Sequence, residues 1–152
     1  MTNELALDQQ VCFALYSASR ATTAAYRPLL DKLGVTYPQY LVLLVLWERD
    51  GQGVKDIGAA LDLDTGTLSP LLKRLEGLGF IERRRLSTDE RRVEIHLTET
   101  GSALRTQALD IPNKLAKKTA MGDDDLIRLK QALDALTSAL HRTDSSTTEG
   151  AS

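Results

Sequence analysis

The sequence predicts a mainly α-helical fold carrying one short β-hairpin. Three observations predict it. Apolar residues recur at three- and four-residue steps over long stretches near both ends of the chain. Two short helical segments joined by a tight turn lie between them. Directly after these, over residues 80–97, the period changes from that of a helix to that of a strand.

Each element follows in order. Residues 5–33 read as a long first helix, with Leu5, Cys12, Leu15, Tyr16, Ser19, Thr23, Tyr26, Leu29 and Leu33 on one face. Pro28 should bend it or end a segment of it, and Gly34 suits the position just past its end. Thr36-Tyr37-Pro38-Gln39 forms a capping box with proline in the first turn. It opens a second helix from Tyr37 to about Arg49. The run LVLLVLW could also be a buried strand; the capping box and the length favour a helix. Val54 to Leu61 reads as a short third helix. A fourth, capped by Asp64 or Thr65, runs to about Glu76 with Leu68, Leu71, Leu72 and Leu75 on one face. Phe80–Arg83 and Val93–Leu97 read as strands, with Ser87-Thr88-Asp89-Glu90 as a polar turn. Thr98 caps a fifth helix, which should break near Asp110 to Pro112. A sixth runs from about Asp123 to His141 on a stripe of Leu126, Leu129, Leu133, Leu136 and Leu140. The polar tail from 143 to 152 lacks the apolar content to fold and is expected to be disordered.

Helix, turn, helix and hairpin in that order make a winged helix-turn-helix. The expectation is a single domain over 1–142, with DNA-binding residues at about 36–97 and dimerisation helices at about 5–33 and 99–142. The outer helices carry more apolar surface than a 60-residue core can cover, so the ends of two chains should pack together as a homodimer.

Composition sets the class. The chain has 152 residues, 42% apolar and 26% charged, as an ordinary globular protein does. No apolar run reaches membrane-spanning length, and the N-terminus lacks a basic and apolar leader. A cytoplasmic protein without membrane association is therefore expected. One cysteine excludes an internal disulfide and any all-cysteine metal site. Cys12, His96 and His141 have no ligand spacing, so neither metal nor cofactor is expected. Net charge is −2, but its distribution is uneven. Leu71 to Ile95 holds seven of the 19 basic residues and only five of the 21 acidic ones.

That positive segment has the chemistry of a double-stranded DNA contact. Thr65, Thr67 and Ser69 are small hydroxylated residues at the start of the fourth helix, where backbone amides favour an anion. Lys73 and Arg74 follow and can reach a phosphate or a guanine edge. Arg91 and Arg92 flank the hairpin turn, and an arginine there can enter a minor groove. Asp89 can hold Arg91 by a charge-assisted hydrogen bond. Taken singly, these are also what a solvated charged helix and a salt-bridged hairpin would show.

From Val54 to Gly101 the chain resembles the MarR family of winged-helix repressors. The resemblance rests on D-x-R-R at Asp89–Arg92 and L-T-x-x-G at Leu97–Gly101. It implies a homodimer with two recognition helices in successive major grooves, about 34–36 Å apart, on an inverted-repeat operator. Over about residues 10–112 the likeness narrows to the organic-hydroperoxide-sensing, OhrR-type branch. It is carried by C-F-x-L-Y from Cys12, Y-x-P-L-L-D-x-L from Tyr26, T-Y-P-Q-Y-L from Thr36 and D-I-P at Asp110–Pro112. Cys12 then matches the redox-sensing cysteine and Tyr16 a pocket tyrosine. Tyr26 and Tyr37 match tyrosines reaching the cysteine from the other subunit.

By spacing alone, a lone cysteine on an apolar helix face is an inert small hydrophobe. Placed mid-helix, Cys12 would gain little from the helix dipole, and no lysine or arginine lies within a turn of it. Tyrosine hydroxyls are the activating groups the sequence offers. The chain departs from those members of the branch that carry a second, resolving cysteine. Oxidised Cys12 is left with a mixed disulfide to a low-molecular-weight thiol, a cyclic sulfenamide, or overoxidation. The function implied is a repressor, not an enzyme, that leaves its operator when an organic hydroperoxide oxidises Cys12. Two other readings stay open. One is a repressor of the same family released by a non-covalent ligand such as a phenolic compound; the other is a one-cysteine thiol peroxidase.

Overall fold

The computed structural model describes residues 3–86 and 88–148, and within these the side chains of 89, 90 and 146–148 fall outside the description. The chain forms two compact units, residues 1–112 and 113–152.

In the first unit, a 3-10 turn (Leu7–Gln9) precedes helix α1 (Val11–Asp31). The expected helix from residue 5 therefore starts later. Side chains compete for its first backbone groups: Gln10 Nε2 donates to the carbonyls of Glu4 (2.8 Å) and Ala6 (3.2 Å), and Asn3 accepts from the Leu5 amide. Gln10 itself is extended. Pro28 neither ends nor divides α1. It removes one amide, but the carbonyl it orphans belongs to Ala24, an exposed residue that water can reach.

Helix α2 (Tyr37–Glu48) begins with the capping box intact: Thr36 Oγ1 accepts from the Gln39 amide, and Gln39 Oε1 accepts from the Thr36 amide at 2.9 Å. It buries Tyr40, Val42, Leu43 and Leu46. Being apolar around most of its circumference, it has no single wet face, and it sits at the centre of this unit. Helices α3 (Val54–Leu61) and α4 (Thr65–Gly77) form the helix-turn-helix. Asp62 turns between them in the left-handed region (φ 56°), and the Leu63 amide donates back to the Gly58 carbonyl at 2.9 Å. The turn comes so close that a Cβ on Gly58 would lie 2.7 Å from the Leu63 carbonyl oxygen. Leu68, Leu72 and Leu75 of α4 are fully buried, each contributing about 2 kcal/mol of apolar burial.

Strands β2 (Ile81–Leu86) and β3 (Asp89–Leu97) form the hairpin, longer than its alternation alone suggested. Sequence reading missed β1 (Gln52–Gly53), two residues that pair antiparallel with Ile95 and Glu94 of β3. The sheet order is β1-β3-β2. Asp50 fixes this edge, its Oδ1 accepting from the Leu97 amide (2.8 Å) and the Gly51 amide (2.9 Å). Helix α5 (Glu99–Ala108) is capped by Thr98 as expected. It breaks before α6 (Ile111–Thr119), at the proline-marked step.

In the second unit, α7 (Asp123–Thr148) runs past the expected order–disorder boundary at 142/143. Thr143 and Ser145 hydroxyls donate to the carbonyls of Ala139 and His141, continuing the helix. Residues 149–152 of the expected tail lie outside the described residues. Leu129 and Leu140 of the expected stripe, and Ile127 beside it, are exposed. Among the described residues no helix is long and apolar enough to cross a membrane.

Among the described glycines the least room for a Cβ is at Gly101, where it would stand 2.0 Å from the Phe80 carbonyl oxygen. Gly101→Ala should therefore destabilise the protein by about 1–3 kcal/mol. Gly77→Ala, with nothing within 4 Å, should be neutral or gain up to about 1 kcal/mol. Urea unfolding midpoints of the two variants check this contrast.

Candidate nucleic-acid interface and thiol sensor

The start of α4 is presented to solvent by its cap. Asp64 is extended and exposed, and its Oδ1 accepts from the Thr67 amide at 2.7 Å. Thr65 and Thr67 are exposed, and Ser69 is half-buried. Lys73 and Arg74 lie on the same helix, both exposed. A cleft of about 870 Å³ opens between this helix start and the wing. Thr65 and Ser69 line it together with Arg91 and Arg92. Thus four of the predicted DNA-contacting residues converge on one concave surface. Thr67, Lys73 and Arg74 lie outside the cleft lining, on the exposed surface of α4. Asp89 belongs to β3, but its side chain, and with it the expected contact to Arg91, lies outside the described residues.

Further residues of this surface were not singled out from sequence. Arg49, Lys55 and Arg83 also line the cleft. Arg83 is 3.8 Å from Glu76, tying the wing to the end of α4. Arg84 Nε donates to Glu82 at 2.8 Å. His96 Nε2 is 2.9 Å from Glu94. Gln52, buried, donates to the Arg49 carbonyl at 2.6 Å and the Val45 carbonyl at 3.1 Å, closing the end of α2. Among the described residues no three His, Cys, Asp or Glu side chains converge as metal ligands.

The residues expected to form the sensor fall into two groups. Because α1 begins at Val11, Cys12 is the second residue of the helix, not a mid-helix residue as expected. Its sulfur stands at the positive end of the dipole, and the cap residue Gln10 offers no side-chain bond to the first amides. Cys12 is exposed, as is Tyr16 one turn on. The Arg20 guanidinium carbon lies 5.7 Å from the centre of the Tyr16 ring, so a cation does reach this face.

Tyr26 and Tyr37 lie elsewhere. Their ring centres are 4.6 Å apart, and Tyr40 joins them at 5.8 and 6.4 Å. Fourteen residues of α1 separate Tyr26 from Cys12, about 21 Å along the axis. Within one chain the thiol is therefore out of hydrogen-bonding reach of either phenol. Burial, with the neighbouring Tyr37 and Tyr40 adding to it, pushes the Tyr26 hydroxyl up to about 12. Burial also raises Tyr37 and Tyr40. All three stay neutral O–H donors near neutral pH. Tyr40 was not counted with the expected sensor tyrosines; its signal was the three-residue step from Tyr37, which places both on one face of α2.

The Thr67 hydrogen bonds hold the Asp64 carboxyl below the usual aspartate range. A depressed carboxyl stabilises the fold fully above its ordinary range and loses that contribution as pH falls through the depressed value. Asp64→Asn keeps a capping oxygen without the charge. Melting temperature should therefore fall less steeply on acidification for Asp64→Asn than for the native chain.

Comparison with known proteins agrees with this geometry. Residues 24–107 match the family described as transcriptional regulator SarA/Rot. The chain is 49% identical over 140 residues to the organic hydroperoxide resistance transcriptional regulator of Bacillus subtilis, covering 92% of this chain and 95% of that one. It is 37% identical over 144 residues to the HTH-type regulator MgrA of Staphylococcus aureus, covering 94% and 98%. The solved structure of reduced AbfR bound to DNA superposes with a TM-score of 0.77 at 34% identity, covering 90% of this chain and 94% of that one. The chain belongs to the MarR family of winged-helix transcriptional regulators, in its organic-hydroperoxide-responsive, OhrR-type branch.

Proposed function

We propose that the protein is a cytoplasmic, homodimeric repressor that binds an inverted-repeat operator and releases it when an organic hydroperoxide oxidises Cys12. The observation that carries the sensing part is the separation within α1. Cys12 and Tyr16 sit at one end, Tyr26 and Tyr37 at the other. An antiparallel second copy would bring one chain's tyrosines to the other chain's sulfur. The exposed Leu7, Val11, Phe13 and Leu15 support this, because such an apolar surface needs covering. Exposed Ile127, Leu129 and Leu140 on α7 are a second surface of the same kind.

In the reduced dimer the hydroxyl-bearing start of α4 enters the major groove. Lys73 and Arg74 reach phosphate or guanine, and Arg91 and Arg92 of the wing reach the flanking minor groove. Asp89 would orient Arg91. The Cys12 thiolate attacks the distal oxygen of a hydroperoxide. The O–O bond breaks, the sulfur is oxidised to sulfenic acid, and the leaving alkoxide takes a proton and departs as the alcohol. Neutral tyrosine hydroxyls at the sulfur can hold the thiolate and supply that proton. With one cysteine in the chain, the sulfenic acid condenses with a low-molecular-weight thiol, losing water. The product is a bulky mixed disulfide. This is regulation by one oxidation event per sensor, not turnover as an enzyme.

In gel shifts with a fragment from its own promoter region, cumene hydroperoxide should release the native protein but not Cys12→Ser. Release of both would favour a non-covalent or non-thiol signal. Tyr26→Phe and Tyr37→Phe should bind DNA as the native chain does and oxidise more slowly. Arg91→Ala should weaken reduced-state binding about ten-fold with an unchanged rate of thiol loss.

A further inference from the structure

We propose that Tyr40 and Trp47 are positioning residues that transmit the state of the sensor tyrosines to the junction joining the recognition helix to the wing. This rests on the redox reading above and extends it to how oxidation at one end reaches DNA at the other.

The residues form one continuous line through the first unit. Tyr40 packs against Tyr26 and Tyr37 at 5.8 and 6.4 Å, and it is only 2% exposed. Two turns along α2, Trp47 meets Tyr40 edge-on, with ring centres 6.3 Å apart. The Trp47 Nε1–H donates to the Gly101 carbonyl at 2.9 Å, across to the first turn of α5. Gly101 is pressed against the Phe80 carbonyl with no room for a Cβ. That carbonyl accepts from the Thr98 amide at 3.1 Å, and the Thr98 hydroxyl donates to the Gly79 carbonyl at 2.5 Å. Gly79 and Phe80 lie between the end of α4 at Gly77 and the start of β2 at Ile81. Every step is a ring contact, a hydrogen bond or a backbone approach at the steric limit.

Close-packed interiors transmit displacement because they have few voids to absorb it. A movement of the Tyr26 and Tyr37 rings cannot be taken up by solvent at Tyr40. It passes instead to Trp47 and, through the indole bond, to the α5 turn that grips the junction. A small tilt there changes the angle between α4 and the wing, which must fit the DNA together. Leu30 and Leu33 also join the end of α1 to this core, by apolar packing, which is not directional. The Nε1–H bond is therefore the step whose removal separates transmission from packing.

Trp47 is the only tryptophan in the chain, so its emission reads the relay directly. The full-length protein is titrated with cumene hydroperoxide while free thiol, Trp47 emission and binding to the promoter-region fragment are followed together. Emission of the native protein should change in step with loss of the Cys12 thiol, and Cys12→Ser should stay flat. Trp47→Phe should lose its thiol at the native rate but retain operator about three- to thirty-fold more tightly than the native protein after complete oxidation. Tyr40→Phe, which keeps the ring contacts, should release like the native chain. Native release with flat emission would overturn the proposal, and so would full release by Trp47→Phe. If Trp47→Phe does not fold, the emission of the native protein decides alone. A native protein that keeps its operator after complete thiol loss would overturn the redox reading itself, and this inference with it.

Discussion

The contact between Gly101 and the Phe80 carbonyl is the constraint on which the DNA-reading geometry depends. Recognition helix and wing are consecutive in sequence, so their mutual angle is set by the short link at Leu78–Phe80. A free link of that length would leave the angle loose. Here it is held from outside by α5, through Gly101 at the steric limit and through two bonds from Thr98. Asp50 and Gln52 hold the other side of the sheet by pairing β1 to β3 and closing the end of α2. The wing is thus fastened on one edge to the end of α2 and on the other to the start of α5.

A second constraint acts on α1. A continuous helix fixes the axial distance between Cys12 and Tyr26, and Pro28 does not relax it. The chain cannot fold back to bring its own phenols to its own thiol. In the proposed dimer, two rigid helices supply what one cannot: sulfur from one, hydroxyls from the other. That arrangement makes the sensor and the subunit interface the same place. A change at sulfur is then felt across the interface without any separate linkage, and the tyrosines that feel it already belong to the packed core of the DNA-binding unit.

The parts of the fold legible in the sequence were those fixed by local chemistry. The capping box at Thr36 and the Thr98 cap each name their helix start to the residue, and the choice between Asp64 and Thr65 places the α4 start to within one, with Asp64 the cap in the structure; in each case the capping side chain and its amide lie three residues apart. What stayed hidden depended on non-local or competing bonds. Strand β1 is two residues long and exists only because β3 lies beside it. The start of α1 was placed too early because periodicity cannot register Gln10 bonding back to Glu4 and Ala6. That error had a chemical consequence, since it hid the position of Cys12 in the first helical turn. Trp47 read as one more apolar residue in LVLLVLW. Its partner, the Gly101 carbonyl, lies 54 residues away, beyond the reach of any pattern.

The energetics bear on which oxidised form acts. Moving a repressor from almost wholly bound to almost wholly released takes about 5.5 kcal/mol of differential stability. One added oxygen at Cys12 would displace a phenol hydrogen bond, a change of about 1–2 kcal/mol. In the proposed dimer a mixed disulfide would insert a residue-sized group where two apolar helix faces meet, and overpacking of that size costs about 1–3 kcal/mol at each site, occasionally more. Two sensors in a symmetric dimer double whichever term applies. Only the mixed disulfide then approaches the requirement, and only if its strain reaches the reading head undissipated. The single cysteine and the line of ring contacts from Tyr26 through Tyr40 to Trp47, closed by the indole bond to Gly101, fit that demand together: in the proposed dimer an external thiol is the route to a bulky adduct, and the line gives its strain a connected path.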